Sequence, residues 1–243
     1  MTGSIIKIIA AITMFIDHAG VILFPQYGWM RIIGRISFPL YAYCIAEGFR
    51  YTRNRVQYFL QIFLLGLGCQ IVYTVVEQTV YLGILLTFSL SILLMAAADS
   101  VVRSLSGEQI WLDKVAEKYG KTTLKPAASR IGSCAVFVLV FTGIWVLTVN
   151  VKVDYGYCGV FLPLLAFLPK NTWQQKILFF GGMLALAMEQ YAGGGSTVQF
   201  WSVLAVPILL AYNGKPGKFR MKWFFYIFYP AHMAFLYLLS FVI

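Results

Sequence analysis

The sequence predicts an all-α, polytopic membrane protein, and three observations carry that prediction. Charged residues make up only 12% of the 243-residue chain, against about a quarter in soluble domains. Hydrophobic residues reach 60%, with a mean hydropathy of +0.78. Apolar runs also recur at the length, about 20 residues, that a helix needs to cross the hydrocarbon layer. A chain so poor in polar side chains cannot cover a globule in water. Soluble enzymes, disordered scaffolds, disulfide-rich secreted modules and peripheral proteins with one anchor are excluded.

Taken in order, the runs give nine candidate spans, with eight to ten as the range, near 5–24, 36–50, 56–76, 80–98, 131–149, 155–169, 176–192, 199–212 and 223–242. The opening run, MTGSIIKIIAAITMFIDHAGVILFP, is too long for a signal-peptide core, contains Asp17 and His18, and lacks a small-residue cleavage pattern, so it reads as a retained transmembrane helix. Residues 1–243 form one domain with no visible internal repeat.

Loop charge supplies the orientation. Arg50, Arg53 and Arg55 follow the second span; Arg103, Lys114, Lys118, Lys121, Lys125 and Arg130 fill the 99–130 connector; Lys170 and Lys176, then Lys215, Lys218, Arg220 and Lys222, lie in two later loops. The intervening loops hold little positive charge: Glu77, then Lys152 with Asp154, then Glu189 beside a Gly-rich turn. Nine spans with the N-terminus in the cytoplasm fit this alternation, as does a bacterial inner or plasma membrane. Arg31 and Arg35 break it, because they fall in the first outer loop. The 99–130 connector reads as a solvated or membrane-surface amphipathic helix. Cys44, Cys69, Cys134 and Cys158 form no close-spaced pair, so neither a disulfide framework nor a metal site is expected. The basic loops lack the aromatic interleaving of a nucleic-acid surface.

Polar residues at membrane depth are costly and mark sites by default. Asp17 and His18 lie about 12 residues into the first span, either as a hydrogen-bonded tie between helices or as a carboxylate and a general base. Lys7 precedes His18 by eleven residues, which places both on one helix face about 16 Å apart. Lys7 is a snorkelling anchor or a phosphate contact at the mouth of the membrane. With His18 it spans a length suited to a thin substrate such as the pantetheine arm of an acyl-coenzyme A. His232, the only other histidine, reaches a similar depth in the last span, where Pro230 should kink the helix beside Tyr229. Arg35 at the start of the second span can hold Asp17, a carboxylate or an oxyanion. Glu47 with Arg50 at its other end reads as an interfacial ion pair, and Asp154 as a helix N-cap.

Together the segments IKIIAAITMFIDHAGVILFP, MRIIGRISFPLYAYCIAEGFRYTRN, DYGYCGV and KWFFYIFYPAHMAFLY resemble the TraX family of membrane proteins. The I-D-H, G-R-x-x-F-P-L and Y-P-A-H elements carry the resemblance, which is strongest over 5–60 and 218–240. TraX proteins are associated with acetylation of pilin N-termini, and the family is distantly similar to acyltransferase-3 enzymes, whose first helix carries a basic residue and a histidine at the spacing of Lys7 and His18. Here lysine replaces the usual arginine, which keeps the charge and loses the bidentate fork. The resemblance implies acetyl-coenzyme A as co-substrate.

The expected function is therefore a membrane acyltransferase acting on an amine or hydroxyl acceptor, such as a protein N-terminus, a glycan or a small molecule. His18, oriented and made more basic by Asp17, would carry the chemistry with Arg35; Lys7, Arg50, Arg53 and Arg55 would hold the nucleotide, and Glu47, Tyr229 and His232 would support. The alternative is a proton-coupled transporter or flippase built on the Asp and His residues. A third reading is a structural partner in an envelope assembly.

Overall fold

The computed structural model describes residues 1–79, 81–108, 110, 126–217 and 222–242. Most of the 99–130 connector, with Lys114, Lys118, Lys121 and Lys125, and the stretch holding Lys218 and Arg220, lie outside the described residues. The described chain runs through α1 (Gly3–Ile22), α2 (Gly28–Gly34), α3 (Ser37–Tyr51), α4 (Arg55–Glu77), α5 (Ile84–Leu105), α6 (Pro126–Asn150), α7 (Gly156–Phe167) and α8 (Thr172–Ala192). A 3-10 helix (Thr197–Leu204), α9 (Ala205–Leu210) and α10 (Lys222–Ser240) complete it. Among the described residues an isolated bridge between Leu82 and Val153 is the one β contact.

Among the described residues four helices are long and apolar enough to cross a membrane: α1, α5, α6 and the Arg55–Val75 part of α4. They differ in surroundings. Of the apolar window of α5, 61% is buried, and of α1 44%, whereas α4 and α6 bury 11% each. Leu60, Leu64, Ile71 and Val72 on α4, and Ile131, Val138, Leu139 and Trp145 on α6, are exposed. Helices apolar on every side and bare on most of them suit hydrocarbon rather than water. Inside this pair, Phe38 and Phe49 of α3, Leu94 and Met95 of α5, and Val160 and Leu162 of α7 form the core with Phe179 and Met183 of α8.

One expected span is broken, and one expected loop is helical. The 199–212 stretch is a 3-10 helix followed by α9, with Pro207 in the first turn of α9, where its missing N–H is tolerated. The first outer loop contains α2, which carries Arg31 and ends at Gly34.

Cross-links sort the loops onto two ends, called proximal (where α1 begins) and distal (where it finishes). Proximally, Gly3 and Ser4 donate backbone hydrogen bonds to Lys215 and Pro216, and Asn213 donates to Met1. Distally, Leu82 donates to Lys152 and Asp154 donates to Leu82, which staples the α4–α5 loop to the α6–α7 loop.

Candidate functional site

At the distal end α2 lies across the last turns of α1. Asp17 is buried and binds both arginines of the loop: its Oδ1 is 2.8 Å from Arg31 Nη1, and Arg35 Nη2 donates to Oδ1 at 3.0 Å and Oδ2 at 2.8 Å. The close approach depends on Gly34, where a Cβ would fall 2.0 Å from Asp17 Oδ1. Arg35 Nη1 also donates to Gln199 Oε1 at 3.3 Å, and its guanidinium lies 6.0 Å from the centre of the Tyr155 ring. A buried carboxylate needs this degree of compensation. The positive charge that violates the loop bias is thus the counter-charge of Asp17.

His18 follows Asp17 in sequence and turns to a different partner. Its Nδ1 lies 2.8 Å from His232 Nε2, and His232 Nδ1 lies 2.7 Å from the carbonyl oxygen of Phe228. A carbonyl only accepts, so His232 carries its proton on Nδ1. With both rings neutral, His232 Nε2 is then an acceptor, His18 Nδ1 is the donor, and the lone pair of His18 is left on Nε2. No hydrogen bond to that nitrogen is made among the described residues. Phe228 stacks on His232, with centroids 4.8 Å apart and planes 10° apart, and holds the ring in place. The group that orients His18 is therefore His232, whereas Asp17 is committed to the arginines.

Two cavities meet at His18. One, of about 740 Å³, is polar and walled by Asp17, Arg31, Arg35, Asp154, Glu189 and Gln199 among others. The second, of about 340 Å³, runs between α4 and α10 past Cys69, Tyr73, Tyr229 and Met233. His18, Val21, Tyr81 and Asp154 line both. Asp154 does not cap α7. Its Oδ1 accepts a hydrogen bond from Tyr81 Oη at 2.8 Å. Burial pushes the Asp154 carboxyl up to about 6, against the lowering pull of the Tyr81 hydrogen bond and Arg35.

The capping role belongs to Glu189, which accepts from Tyr157 N at 3.1 Å and Cys158 N at 2.9 Å. Gly156, with φ of +59°, admits this carboxylate: a Cβ there would sit 2.9 Å from Glu189 Oε1. Glu189 and Gln199 are site residues that the sequence reading missed. The available signal was Glu189 in the last turn of an apolar helix, where the macrodipole disfavours an acid, so that a partner elsewhere is required.

The residues expected to hold a nucleotide lie at the proximal end, and they divide. Arg50 is paired with Glu47 at 3.1 Å and donates to the carbonyls of Ala166 and Phe167 at 2.9 and 2.8 Å, at the C-terminus of α7. Glu47 also accepts from Tyr212 Oη at 3.1 Å. Arg55 is paired with Asp99, which also binds Arg103. Lys7 and Arg53 are exposed. Neither cavity at His18 is lined by Lys7. Tyr229 lines the second cavity, its ring 5.8 Å from that of His232. Among the described residues no cluster of three or more His, Cys, Asp or Glu side chains is placed to hold a metal.

A family model described as "TraX protein" matches residues 2–240. The chain is 27% identical over 251 residues to a protein of Dichelobacter nodosus named probable fimbrial assembly protein FimC, serogroup H1, covering 95% of this chain and 92% of that relative. A shorter match, 35% identical over 85 residues, covers 32% of this chain and 34% of the uncharacterized protein RP591 of Rickettsia prowazekii (strain Madrid E). No solved structure matches.

Proposed function

The chain belongs to the TraX family, and from that premise we propose that it is an acyltransferase of the bacterial inner or plasma membrane. It moves an acetyl or other small acyl group from cytosolic acyl-coenzyme A to an amine or hydroxyl acceptor. The observation that carries the reading is the directed chain from the Phe228 carbonyl through His232 to His18, which leaves a lone pair on His18 Nε2 beside two cavities. His18 takes the acceptor's proton as its nitrogen or oxygen attacks the acyl carbon, and returns a proton to the thiolate when the C–S bond breaks. His232 holds the tautomer and shares the charge of the imidazolium, as the third member of a nucleophile–base–orienter set does. Guanidinium N–H groups of Arg35 and Arg31 on the cavity wall favour the oxyanion that develops on the acyl group.

In this reading nine spans cross the membrane and the proximal end faces the cytoplasm. Of the four residues expected to bind phosphates, Lys7 and Arg53 are left for that role, since Arg50 and Arg55 are held by carboxylates. The rise from Lys7 to His18, about 16 Å, suits a thin thioester arm. The name of the D. nodosus relative favours a pilin-like N-terminus as acceptor.

Purified protein in detergent, given labelled acetyl-coenzyme A and a pilin-like peptide with a free N-terminus, is expected to transfer label. His18→Ala should reduce transfer at least about 10²-fold, and His232→Ala should approach that loss. Undiminished transfer by His18→Ala removes His18 from the reaction. A carrier would neither transfer label nor be thermally stabilised by coenzyme A.

A further inference from the structure

A carboxylate stands at the junction of the two cavities and has no part in the mechanism above. Asp154 is pinned three ways: Tyr81 Oη donates to its Oδ1 at 2.8 Å, its own N–H donates to the Leu82 carbonyl at 2.8 Å, and Thr87 Oγ1 donates to its carbonyl at 3.0 Å. Besides the Tyr81 hydroxyl, only the backbone N–H of Tyr155 reaches its carboxylate, and no cation pairs with it among the described residues. No arginine pairs with it there, because Arg35 is spent on Asp17 and Gln199. Tyr81, Tyr155, Tyr229, Arg35, Asp17 and His18 surround it, and Arg31, Lys152 and Glu189 line the same cavity. A fixed carboxylate on a cavity wall with no paired cation calls for a cation with N–H donors.

Proton counting shows what that cation does. A hydroxyl acceptor loses one proton on acylation, which His18 accepts. A primary amine enters as ammonium at neutral pH and must lose two. We propose that Asp154 binds the ammonium form of a primary-amine acceptor and takes its first proton, which makes the junction selective for amines over hydroxyls. The binding half stands on the carboxylate alone, and the proton-transfer half rests on the acyltransferase reading.

Asp154 accepts one ammonium proton, which frees the nitrogen lone pair to form the N–C bond with the thioester carbonyl. His18 Nε2 takes the second proton and passes it to the departing thiolate, and Asp154 releases the first to water in the cavity. Burial brings the Asp154 carboxyl to about 6, closer than an ordinary aspartate to an α-amino group near 8, which eases the first transfer.

The test measures binding to the full chain in detergent, without coenzyme A, of three probes: a short apolar peptide amide with a free N-terminus, its N-acetylated form, and its N-terminal hydroxy-acid analogue. The free-amine peptide is expected to bind at least about tenfold more tightly than either neutral probe. Asp154→Asn should erase that preference, Asp154→Glu should keep part of it, and His18→Ala should keep it all. Equal binding of the three probes to the wild type, or a preference that survives in Asp154→Asn, overturns the assignment. A second readout is transfer to the amine peptide, where raising the pH to about 9 should restore the Asp154→Asn rate because the amine then arrives deprotonated. A wild type that prefers the amine yet transfers no label leaves the ammonium site standing and removes the acyltransferase reading.

Discussion

At the proximal end of the bundle Arg50 and Arg55 close onto Glu47, Asp99 and the last carbonyls of α7, while at the distal end Asp17 gathers Arg31 and Arg35 beside a cavity of about 740 Å³. The contrast lies in what the charges surround. The proximal arginines neutralise carboxylates and helix-end carbonyls, so they fasten helices to one another. The distal charges border open volume together with a histidine whose free nitrogen is set by a second histidine. A basic residue in a loop is explained by topology, whereas a buried acid that gathers two cations is not.

That contrast can be broken first through Asp17. Asp17→Asn leaves two guanidiniums without their counter-charge and is expected to cost about 3–5 kcal/mol, read by unfolding in detergent. Glu47→Gln should cost about 1 kcal/mol, because Arg50 keeps its two carbonyls. Equal losses would remove the distinction between the ends. Next is Gly34→Ala, whose methyl would overlap Asp17 Oδ1 and push α2 off α1; about 1–3 kcal/mol is expected by the same measurement. Third, Lys7→Ala and Arg53→Ala should each raise KM for acetyl-coenzyme A up to about tenfold with kcat kept, whereas Arg50→Ala and Arg55→Ala should lower thermal stability instead. A KM effect at Arg50 matching that at Arg53 would mean that its ion pair opens to bind substrate.

The smallest effect is a pH dependence. The folded pKa of Asp154, about 6, lies above its unfolded value near 3.9, so the folded protein binds this proton more tightly and carries a burial cost while the group is ionised. Asp154→Asn removes that cost. The variant should therefore exceed the wild type in thermal stability above pH 6, and the gap should close as pH falls from about 6 to 4. A gap independent of pH would assign the difference to packing against Tyr81.

Much of the helical order was legible because hydropathy reports burial in lipid directly: α3 and α4 fall within one or two residues of the expected spans. Asp17, His18, Arg35 and His232 were legible for a related reason, since each is a polar group placed where the bilayer penalises it. What the residues touch was not legible. Adjacent positions on a helix point about 100° apart, so Asp17 and His18, read as partners, face different neighbours. Glu189 passed as loop charge although it caps α7 from another helix, and Asp154 passed as a cap although its partner is Tyr81, 73 residues away. Pairings between segments far apart in sequence leave little trace in local pattern. The break in 199–212 was hidden because apolar content does not distinguish a 3-10 turn from an α-helix.

The length of α7 has a further consequence. Its 12 residues rise about 18 Å, against about 30 Å for the hydrocarbon of a bilayer. Glu189 meets one end and Arg50 the other, each matching the sign of the helix dipole. α7 is thus shorter than a bilayer-crossing helix, and side chains of α8 and α3 supply charge at its two ends. The larger cavity opens where α7 begins, at Tyr155 and Gly156, so the shortness of this one helix makes room for the polar volume beside His18.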